Sequence, residues 1–177
     1  MLQSGITTQV DSKKVLHKNV KLELDEFASQ EKIDEAMAVV NSLDFKPISF
    51  KLEVEYGWTK EALNRAEKLY KEWLVLQYNY PELSLAPSEL IDEYWHMHIL
   101  DTRKYMEDCQ FVFGYYLHHY PYFGLTKDEP KEMLNQGFEL TKKLYNYHFG
   151  HNELGLAEYK SASCGCRSGN GGSCRGH

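Results

Sequence analysis

The sequence lacks the features that mark membrane and secreted proteins. No run of apolar residues approaches the ~18 that a membrane span requires, and residues 1–20 contain no apolar segment typical of a secretory signal. Cysteine is scarce. Three of the four cysteines stand in the last fourteen residues, which is not how a disulfide framework is distributed through a small secreted fold. We therefore expect a cytoplasmic protein with no membrane span.

An excess of positive charge is also lacking. The 20 lysine and arginine residues are outnumbered by 26 aspartate and glutamate residues, which gives a net charge of -6 and a pI near 5.7. A protein that binds nucleic acid by neutralising phosphates carries a basic patch or stripe. We therefore expect no nucleic-acid partner, and look instead for a small molecule or a protein.

Apolar residues recur at helical spacing in four segments of the chain. The segments run from Glu31 to Leu43, from Thr59 to Gln77, from Ser88 to Phe113 and from Glu129 to Phe149. Thr59 and Ser88 are the expected N-caps of their helices. Residues 88–113 contain no glycine or proline, which predicts either one long helix or two helices joined near residues 100–102. Residues 48–56 alternate as a strand does but also fit a helix, so the spacing leaves their structure open.

The 177 residues suffice for one hydrophobic core, and composition divides them into three parts. Residues 1–24 show no sustained period and are predicted to form an N-terminal arm. Residues 25–159 hold the helical segments and form the predicted domain. Residues 160–177 are rich in glycine, serine and cysteine and have no means of forming a core, so they are predicted to be a flexible tail.

Two histidines that stand two positions apart, His96 and His98, lie in the longest helical segment. Residues two apart on a regular helix lie about 200° apart, so these side chains cannot bind the same metal ion. His96 falls on a charged face that also carries Asp92 and Glu93, and these residues can supply ligands to a divalent ion. His98 falls on the apolar face within reach of Asp101. The Asp101 carboxylate can orient the imidazole for proton transfer, or simply satisfy it within the core.

A second histidine pair lies in an aromatic segment, residues 115–124, that is broken by a proline and a glycine. Such a segment is predicted to fold back onto the core. His118 or His119 would then complete a metal site with Asp92 and His96, for which zinc or iron is the candidate ion. The alternative is that the histidine pair packs among tyrosines while Asp92 and His96 form a solvated helix face. The spacing is not H-E-x-x-H and has little specificity of its own.

Other candidate site residues surround these histidines. Trp95, Tyr105 and Tyr122 are the candidate ligand-binding side chains. Cys109 falls on the apolar face of the same helical segment. A free buried cysteine is usually a small hydrophobic residue and seldom a nucleophile, so we expect Cys109 to be part of the core.

The tail carries a second group of residues that bind metals. It contains three thiols and a histidine: Cys164, Cys166, Cys174 and His177. These ligands suit a soft metal ion. The spacing lacks the paired C-x2-C pattern of a structural zinc site, so a solvated tail is the favoured interpretation.

Residues 85–124 contain a dense pattern of acidic, aromatic and histidine residues. The pattern is an acidic residue, W-H-x-H, a tyrosine and an Asp-Cys pair, formed here by Asp92, Trp95, His96, His98, Tyr105, Asp108 and Cys109. Further matching residues are Ile99 to Thr102, His118 to Gly124 and the pair Gly57 and Trp58. In these residues the chain resembles the glycine-rich domain-containing protein-like family of bacteria, fungi and plants. The resemblance implies a mainly helical domain, with a helix at residues 48–56, and no established reaction.

These observations lead to one fold and three functional hypotheses. We expect an all-α fold, a single compact helical domain of about four to six helices with a flexible tail. The first hypothesis is a domain that binds a ligand or a divalent metal ion at the histidine cluster. The second is a metal-dependent enzyme in which His96, His118 and His119 bind the ion while His98 and Asp101 transfer protons. The third is a structural module that binds a protein partner.

Overall fold

The computed structural model describes residues 27–155 of the chain. Within this range the chain forms six α-helices and no β-strand, which confirms the all-α fold expected from the sequence. The helices are α1 (Gln30–Asn41), α2 (Lys46–Tyr56), α3 (Lys60–Asn79), α4 (Glu89–Leu100), α5 (Thr102–Phe113) and α6 (Lys131–Phe149). The predicted arm and the predicted tail, including Cys164, Cys166, Cys174 and His177, lie outside the described residues.

Side-chain caps set where several of these helices begin. The hydroxyl oxygens of Ser29, Thr59 and Ser88 accept hydrogen bonds from backbone N–H groups three residues later, at 3.4, 3.2 and 3.3 Å. Such caps satisfy N–H groups that have no acceptor within the first helical turn. The caps at Thr59 and Ser88 confirm the helix starts predicted from the sequence.

The helical segment predicted at residues 88–113 is broken at Asp101. This residue ends α4 with φ -83° and ψ 71°, and it also begins α5, because its carboxylate accepts a hydrogen bond from the Lys104 N–H at 3.4 Å. A side chain that bonds to the backbone just after it stabilises a helix start. The chain therefore adopts the second of the two predicted structures, two helices with a junction at residue 101.

Residues 48–56, whose spacing fits both a strand and a helix, lie in α2. Pro47 stands in the first turn of α2, where its missing N–H removes no hydrogen bond. Gly57 ends the helix with φ 68°, in the left-handed region that glycine adopts without strain. Ile48 and Leu52 are buried while Phe50 on the opposite side is exposed. The helix implied by the family resemblance is confirmed.

Helix α3 is the element around which the others pack. It contacts α1, α2, α4 and α6. Its side chains Tyr70 and Trp73 are fully buried, together with Tyr94 from α4 and Tyr145 from α6. The Tyr145 hydroxyl donates a hydrogen bond to the backbone carbonyl of Leu69, which ties α6 to α3. Among the helices of residues 27–155, none combines the length and the apolar composition needed to cross a membrane.

Gly137 brings α6 against the loop that joins α3 to α4. A Cβ atom at this position would lie 2.5 Å from the backbone carbonyl oxygen of Ser84 and 3.5 Å from the backbone nitrogen of Ala86. The first separation is too short for any real contact, and a backbone atom cannot rotate away as the end of a side chain can. The absence of a side chain at residue 137 therefore allows the loop to lie directly on α6.

Gly137→Ala is expected to lower the free energy of unfolding by about 1 kcal/mol. Alanine gains about 1 kcal/mol over glycine in a helix interior, but overpacking against a fixed neighbour costs about 1–3 kcal/mol. The cost should exceed the gain because the obstructing atom belongs to the backbone of Ser84. Chemical denaturation followed by circular dichroism measures the change.

Asn135→Ala is the matched control, because Asn135 is exposed on the same helix. It is expected to change the unfolding free energy by less than about 0.5 kcal/mol. A Gly137→Ala variant at least as stable as the wild type would show that the loop can move away from α6 without cost.

Candidate metal centre

One carboxylate and two imidazoles meet beside α4. Asp92 and His96 stand four residues apart on α4, and His119 belongs to the segment of residues 114–124 that follows α5. His119 Nε2 lies 3.1 Å from Asp92 Oδ1 and 3.1 Å from His96 Nε2. All three candidate ligand atoms lie within 4.8 Å of one another. We call Asp92, His96 and His119 the triad.

The spacing of these ligand atoms suits a small divalent ion. Zinc binds imidazole nitrogen at about 2.0–2.1 Å, so two nitrogens on a tetrahedral zinc ion lie about 3.3 Å apart. The observed 3.1 Å between the Nε2 atoms of His96 and His119 is close to this distance. The spacing of these two nitrogens is therefore compatible with their binding one ion.

Asp92 and His119 are largely shielded from solvent, whereas the His96 side chain is 44% exposed. Asp92 is only 7% exposed, and its carboxylate lies 3.6 Å from His96 Nδ1. Residues 114–124 fold back over this part of α4, as their aromatic composition predicts, and place the His119 ring beside the carboxylate. The solvated helix face that the sequence allowed as an alternative is therefore wrong for Asp92.

A chain of contacts holds His119 in this position. The Trp95 ring lies against the His119 ring, with 4.5 Å between the ring centroids. The Trp95 indole N–H donates a hydrogen bond to the Tyr105 hydroxyl at 2.9 Å, and that hydroxyl donates in turn to the backbone carbonyl of Leu117. One tyrosine thus links α4 and α5 to the segment that carries His119.

The three predicted ligand-binding side chains lie in different surroundings. Trp95 is buried beside the triad. Tyr105 is 1% exposed and its hydroxyl is engaged by Trp95 and Leu117, so it positions the segment instead of offering a free hydroxyl. Tyr122 is 58% exposed and packs edge-on against Tyr120, and no contact joins it to Asp92, His96 or His119 among the described residues. The structure therefore brings only Trp95 of these three to the triad.

Two other predicted metal ligands lie outside the triad. His118 is exposed and packs against Tyr116, with 4.9 Å between the ring centroids. Of this pair, only His119 has a ligand atom that converges with those of Asp92 and His96. Glu93 is likewise not among the three residues whose ligand atoms converge.

His98 lies on the opposite side of α4 from His96, as the helical spacing predicts. It is 1% exposed, its Nε2 lies 3.0 Å from the Asp108 carboxylate, and its Nδ1 lies 2.9 Å from the Tyr70 hydroxyl. The predicted pairing of His98 with Asp101 is wrong. Because the chain bends at Asp101, this residue is exposed at the helix junction, and the carboxylate that faces His98 comes from further along α5.

Burial and hydrogen bonding set the charges in this second cluster. Burial lowers the pKa of His98 and outweighs the effect of the nearby Asp108 carboxylate, so the ring is neutral at pH 7. Burial alone would raise the pKa of Asp108, but hydrogen bonds from His98 and Lys104 outweigh it and lower that pKa. Asp108 is therefore ionised at pH 7.

These charges also fix the direction of the hydrogen bonds at His98. An ionised carboxylate only accepts, so His98 donates from Nε2 to Asp108 and accepts at Nδ1 from the Tyr70 hydroxyl. Burial raises the pKa of Tyr70 well above its usual value, which keeps that hydroxyl protonated. Both ring nitrogens of His98 are thus occupied within the core.

A cavity of about 510 Å³ opens beside the triad. Asp92 and His119 form part of its wall, together with Trp95 and His118. Much of the remaining wall is aromatic or aliphatic, including Trp73, Leu117, Phe123 and Leu134. An ion bound by the triad would therefore face a space that accommodates a water molecule or an organic molecule.

A family model described as UCP032817-like matches residues 35–148, a range that includes the triad and the His98 cluster. The chain belongs to the UCP032817-like family. The UCP032817-like domain has no assigned function, and nothing in the match shows the glycine-rich character named in the resemblance noted from the sequence. No curated protein and no solved structure matches the chain.

Two residues of this UCP032817-like domain were given no role from the sequence. Asp108 was noted only as part of the family pattern, although its position four residues after Lys104 is typical of an ion pair on a helix. Trp73 lies within the helical segment that the sequence predicts from Thr59 to Gln77. An aromatic residue at helical spacing is usually a core residue, so the sequence contained no signal that this one reaches a cavity.

Asp108→Asn is expected to lower the unfolding free energy by about 2 kcal/mol at neutral pH, because His98 and Lys104 both lose their anionic partner. The pKa of Asp108 is lowered in the folded state, so its stabilisation is complete above the pKa of an unfolded aspartate, about 4. This stabilisation is lost as the pH falls through the pKa that Asp108 has in the folded protein. The difference in unfolding free energy between the wild type and Asp108→Asn should therefore be smaller at about pH 3 than at neutral pH, as measured by urea denaturation.

Glu107→Gln provides the control for this prediction. Glu107 is exposed on the same helix, immediately before Asp108, and its substitution should change the unfolding free energy by less than about 0.5 kcal/mol. Equal stabilities of the two variants at neutral pH would contradict the role given to Asp108.

Proposed function

We propose that this protein binds a divalent metal ion through the triad. The observation that supports the proposal most directly is the convergence of one ligand atom from each of Asp92, His96 and His119 within 4.8 Å of one another. His119 lies 23 residues from His96 in the chain, so their meeting requires the fold and does not follow from helical spacing alone.

Zinc and iron are the ions that suit this ligand set best. Two imidazole nitrogens and one carboxylate oxygen bind zinc in many catalytic sites, and the same three ligands bind Fe(II) in the 2-His-1-carboxylate arrangement. Magnesium and calcium prefer sites made of oxygen ligands, so they are poorer candidates. The proposal assigns ligation to His119 and not to its neighbour His118.

A metal-dependent enzyme is the second candidate function. The observation that favours it is the cavity of about 510 Å³ that shares Asp92 and His119 with the triad. Structural zinc sites are closed by four protein ligands, whereas catalytic sites keep a position for water or substrate. Three protein ligands beside a cavity fit the second description. His98 has no part in this candidate function, because both of its ring nitrogens are bonded in the core.

We also propose that the protein is cytoplasmic and that its ligand is a small molecule. The distribution of cysteines argues against a secreted disulfide framework, and Cys109 is a buried free thiol among the described residues. The cavity beside the triad has a size suited to a small molecule. An interaction with a protein partner remains a separate hypothesis that rests on no particular contact.

Metal analysis of the full-length chain tests the proposal. The protein is produced without an affinity tag and with Cys164→Ser, Cys166→Ser and Cys174→Ser, so that the tail thiols cannot bind metal. We expect zinc or iron near a 1:1 ratio after reconstitution, and loss of most of it in His119→Ala, because removing one of three ligands weakens binding strongly. Elemental mass spectrometry measures the metal content.

His118→Ala is the matched control for His119→Ala. It removes an adjacent histidine from the same segment and is expected to keep the metal. Equal metal loss in both variants would place the site elsewhere. If the folded protein with these three serine substitutions and an intact triad retained no metal after incubation with zinc, iron, manganese or copper, the metal proposal would be wrong.

Cobalt substitution distinguishes the two candidate functions. In a site with an open coordination position, azide should bind to Co(II) and change its visible absorption spectrum, because the ion acquires a new ligand. A site that only stores or binds the ion in closed form should show no such change. The spectrum of cobalt-treated His119→Ala, recorded with and without azide, controls for cobalt bound elsewhere.

A further inference from the structure

The cavity of about 510 Å³ beside the triad has two acidic side chains on its wall, Asp92 and Glu129. Within residues 27–155 no lysine or arginine lines it. The Glu129 carboxylate shares a hydrogen bond with the Tyr120 hydroxyl, and Tyr120 lines the same cavity. In the protein without an ion, the electrostatic field of this wall therefore favours a cation.

An ion bound by the triad reverses the charge at one end of the cavity. The ion carries two positive charges, the Asp92 carboxylate one negative charge, and metal-bound imidazoles none, so the loaded triad has one net positive charge. Asp92 and His119 both belong to the wall, so the ion borders the cavity. His118 on the same wall adds an N–H donor, because an imidazole has at least one whether it is neutral or protonated. This end of the cavity therefore suits the head group of a monoanion.

The apolar part of the wall determines what the rest of the ligand resembles. The Trp95 ring lines the cavity and lies 4.5 Å from the His119 ring between centroids, so apolar surface begins directly beside a metal ligand. Leu117, Phe123 and Leu134 also line the cavity. Sites for small organic molecules typically have apolar walls with a few polar groups, and volumes of about 300–1,000 Å³. An apolar body attached directly to the anionic head fits this wall.

Charge and ligand chemistry select a carboxylate among anionic head groups. A dianion, such as a phosphate ester, exceeds the single positive charge of the loaded triad, and no lysine or arginine of the described wall offsets the excess. Glu129 would repel a dianion more strongly than a monoanion. A carboxylate carries one charge, and carboxylate oxygen is a ligand of both zinc and iron.

We propose that the cavity binds a small monocarboxylic acid whose carboxylate oxygen coordinates the ion of the triad and whose apolar body contacts Trp95, Phe123 and Leu134. The inference rests on the proposed metal site and names the class of ligand that this site takes. It has a measurable consequence, because the charge that the cavity prefers in a ligand is inverted by the ion. The loaded protein prefers an anion, whereas the metal-free protein prefers a cation.

Three probes of the same shape test this inversion: the anion 4-fluorobenzoate, the uncharged 4-fluorobenzamide and the cation 4-fluorobenzamidinium. The full-length chain with Cys164→Ser, Cys166→Ser and Cys174→Ser is loaded with zinc and freed of unbound ion by gel filtration, or freed of metal with a chelator. Fluorine-19 line broadening measures affinity, and elemental mass spectrometry measures zinc in the same samples. We expect the zinc protein to bind 4-fluorobenzoate at least about tenfold more tightly than the other probes, and the metal-free protein to bind 4-fluorobenzamidinium most tightly.

Glu129→Gln tests whether the acid lies in the cavity or on the exposed side of His96. Loss of this wall carboxylate should raise the affinity of the zinc protein for 4-fluorobenzoate about threefold, because one repulsive charge is removed, and leave the affinity for 4-fluorobenzamide unchanged. The glutamine carbonyl can still accept the hydrogen bond of Tyr120. Glu132→Gln is the matched control, because Glu132 is exposed and does not line the cavity, and it should change neither affinity.

The zinc content separates this inference from the metal proposal. A protein that holds zinc but binds 4-fluorobenzoate no more tightly than 4-fluorobenzamide overturns the inference and leaves the metal site intact. Equal affinity for 4-fluorobenzoate with and without zinc, or in Glu129→Gln and its parent, overturns it as well. A protein that holds no zinc overturns the metal site and the carboxylic acid together. If Glu129→Gln does not fold, the charge preference of the two forms of the parent protein decides.

Discussion

The hydroxyl of Tyr105 joins the three parts of the chain that build the candidate site. It accepts a hydrogen bond from Trp95 on α4 and donates one to the carbonyl of Leu117, two residues before His119. Tyr105 is 1% exposed, so water does not compete for these bonds. The position of His119 against Trp95 and Asp92 depends on this link. The triad and the adjoining wall of the cavity therefore share one buried support.

The two histidines of α4 lie in different surroundings because they stand on opposite sides of the helix. His96 faces the segment that returns from α5, where its Nε2 meets that of His119. His98 faces the core, where Tyr70 and Asp108 occupy its two ring nitrogens. One imidazole is thus placed next to other potential metal ligands, while the other holds α3, α4 and α5 together. Their spacing of two residues, about 200° on a helix, is sufficient to separate these roles.

Much of the fold could be predicted from the sequence, because helical spacing and caps such as Thr59 and Ser88 are local signals. The ambiguity at residues 48–56 arose because alternation and helical spacing coincide over so short a segment. The grouping of side chains at the candidate site could be predicted only in part. Asp92 and His96 are related by the helix itself, whereas the choice of His119 over His118, and of Asp108 over Asp101, depends on how the chain turns between helices. Within residues 27–155 the indole N–H of Trp73 lacks an acceptor because of how the helices pack, and no sequence pattern predicts this.

The number of residues in the junction between α4 and α5 determines which side chains of the two helices face each other. Asp101 ends α4 and begins α5 with no further residue between the helices. If one residue were inserted at this point and taken up into the first turn of α5, every later side chain of α5 would be rotated by about 100° about the axis of that helix. Tyr105 would then no longer face Trp95, and Asp108 would no longer face His98. Substitutions on these helices can be offset by their neighbours, but a change in the length of the junction would separate both pairs at once.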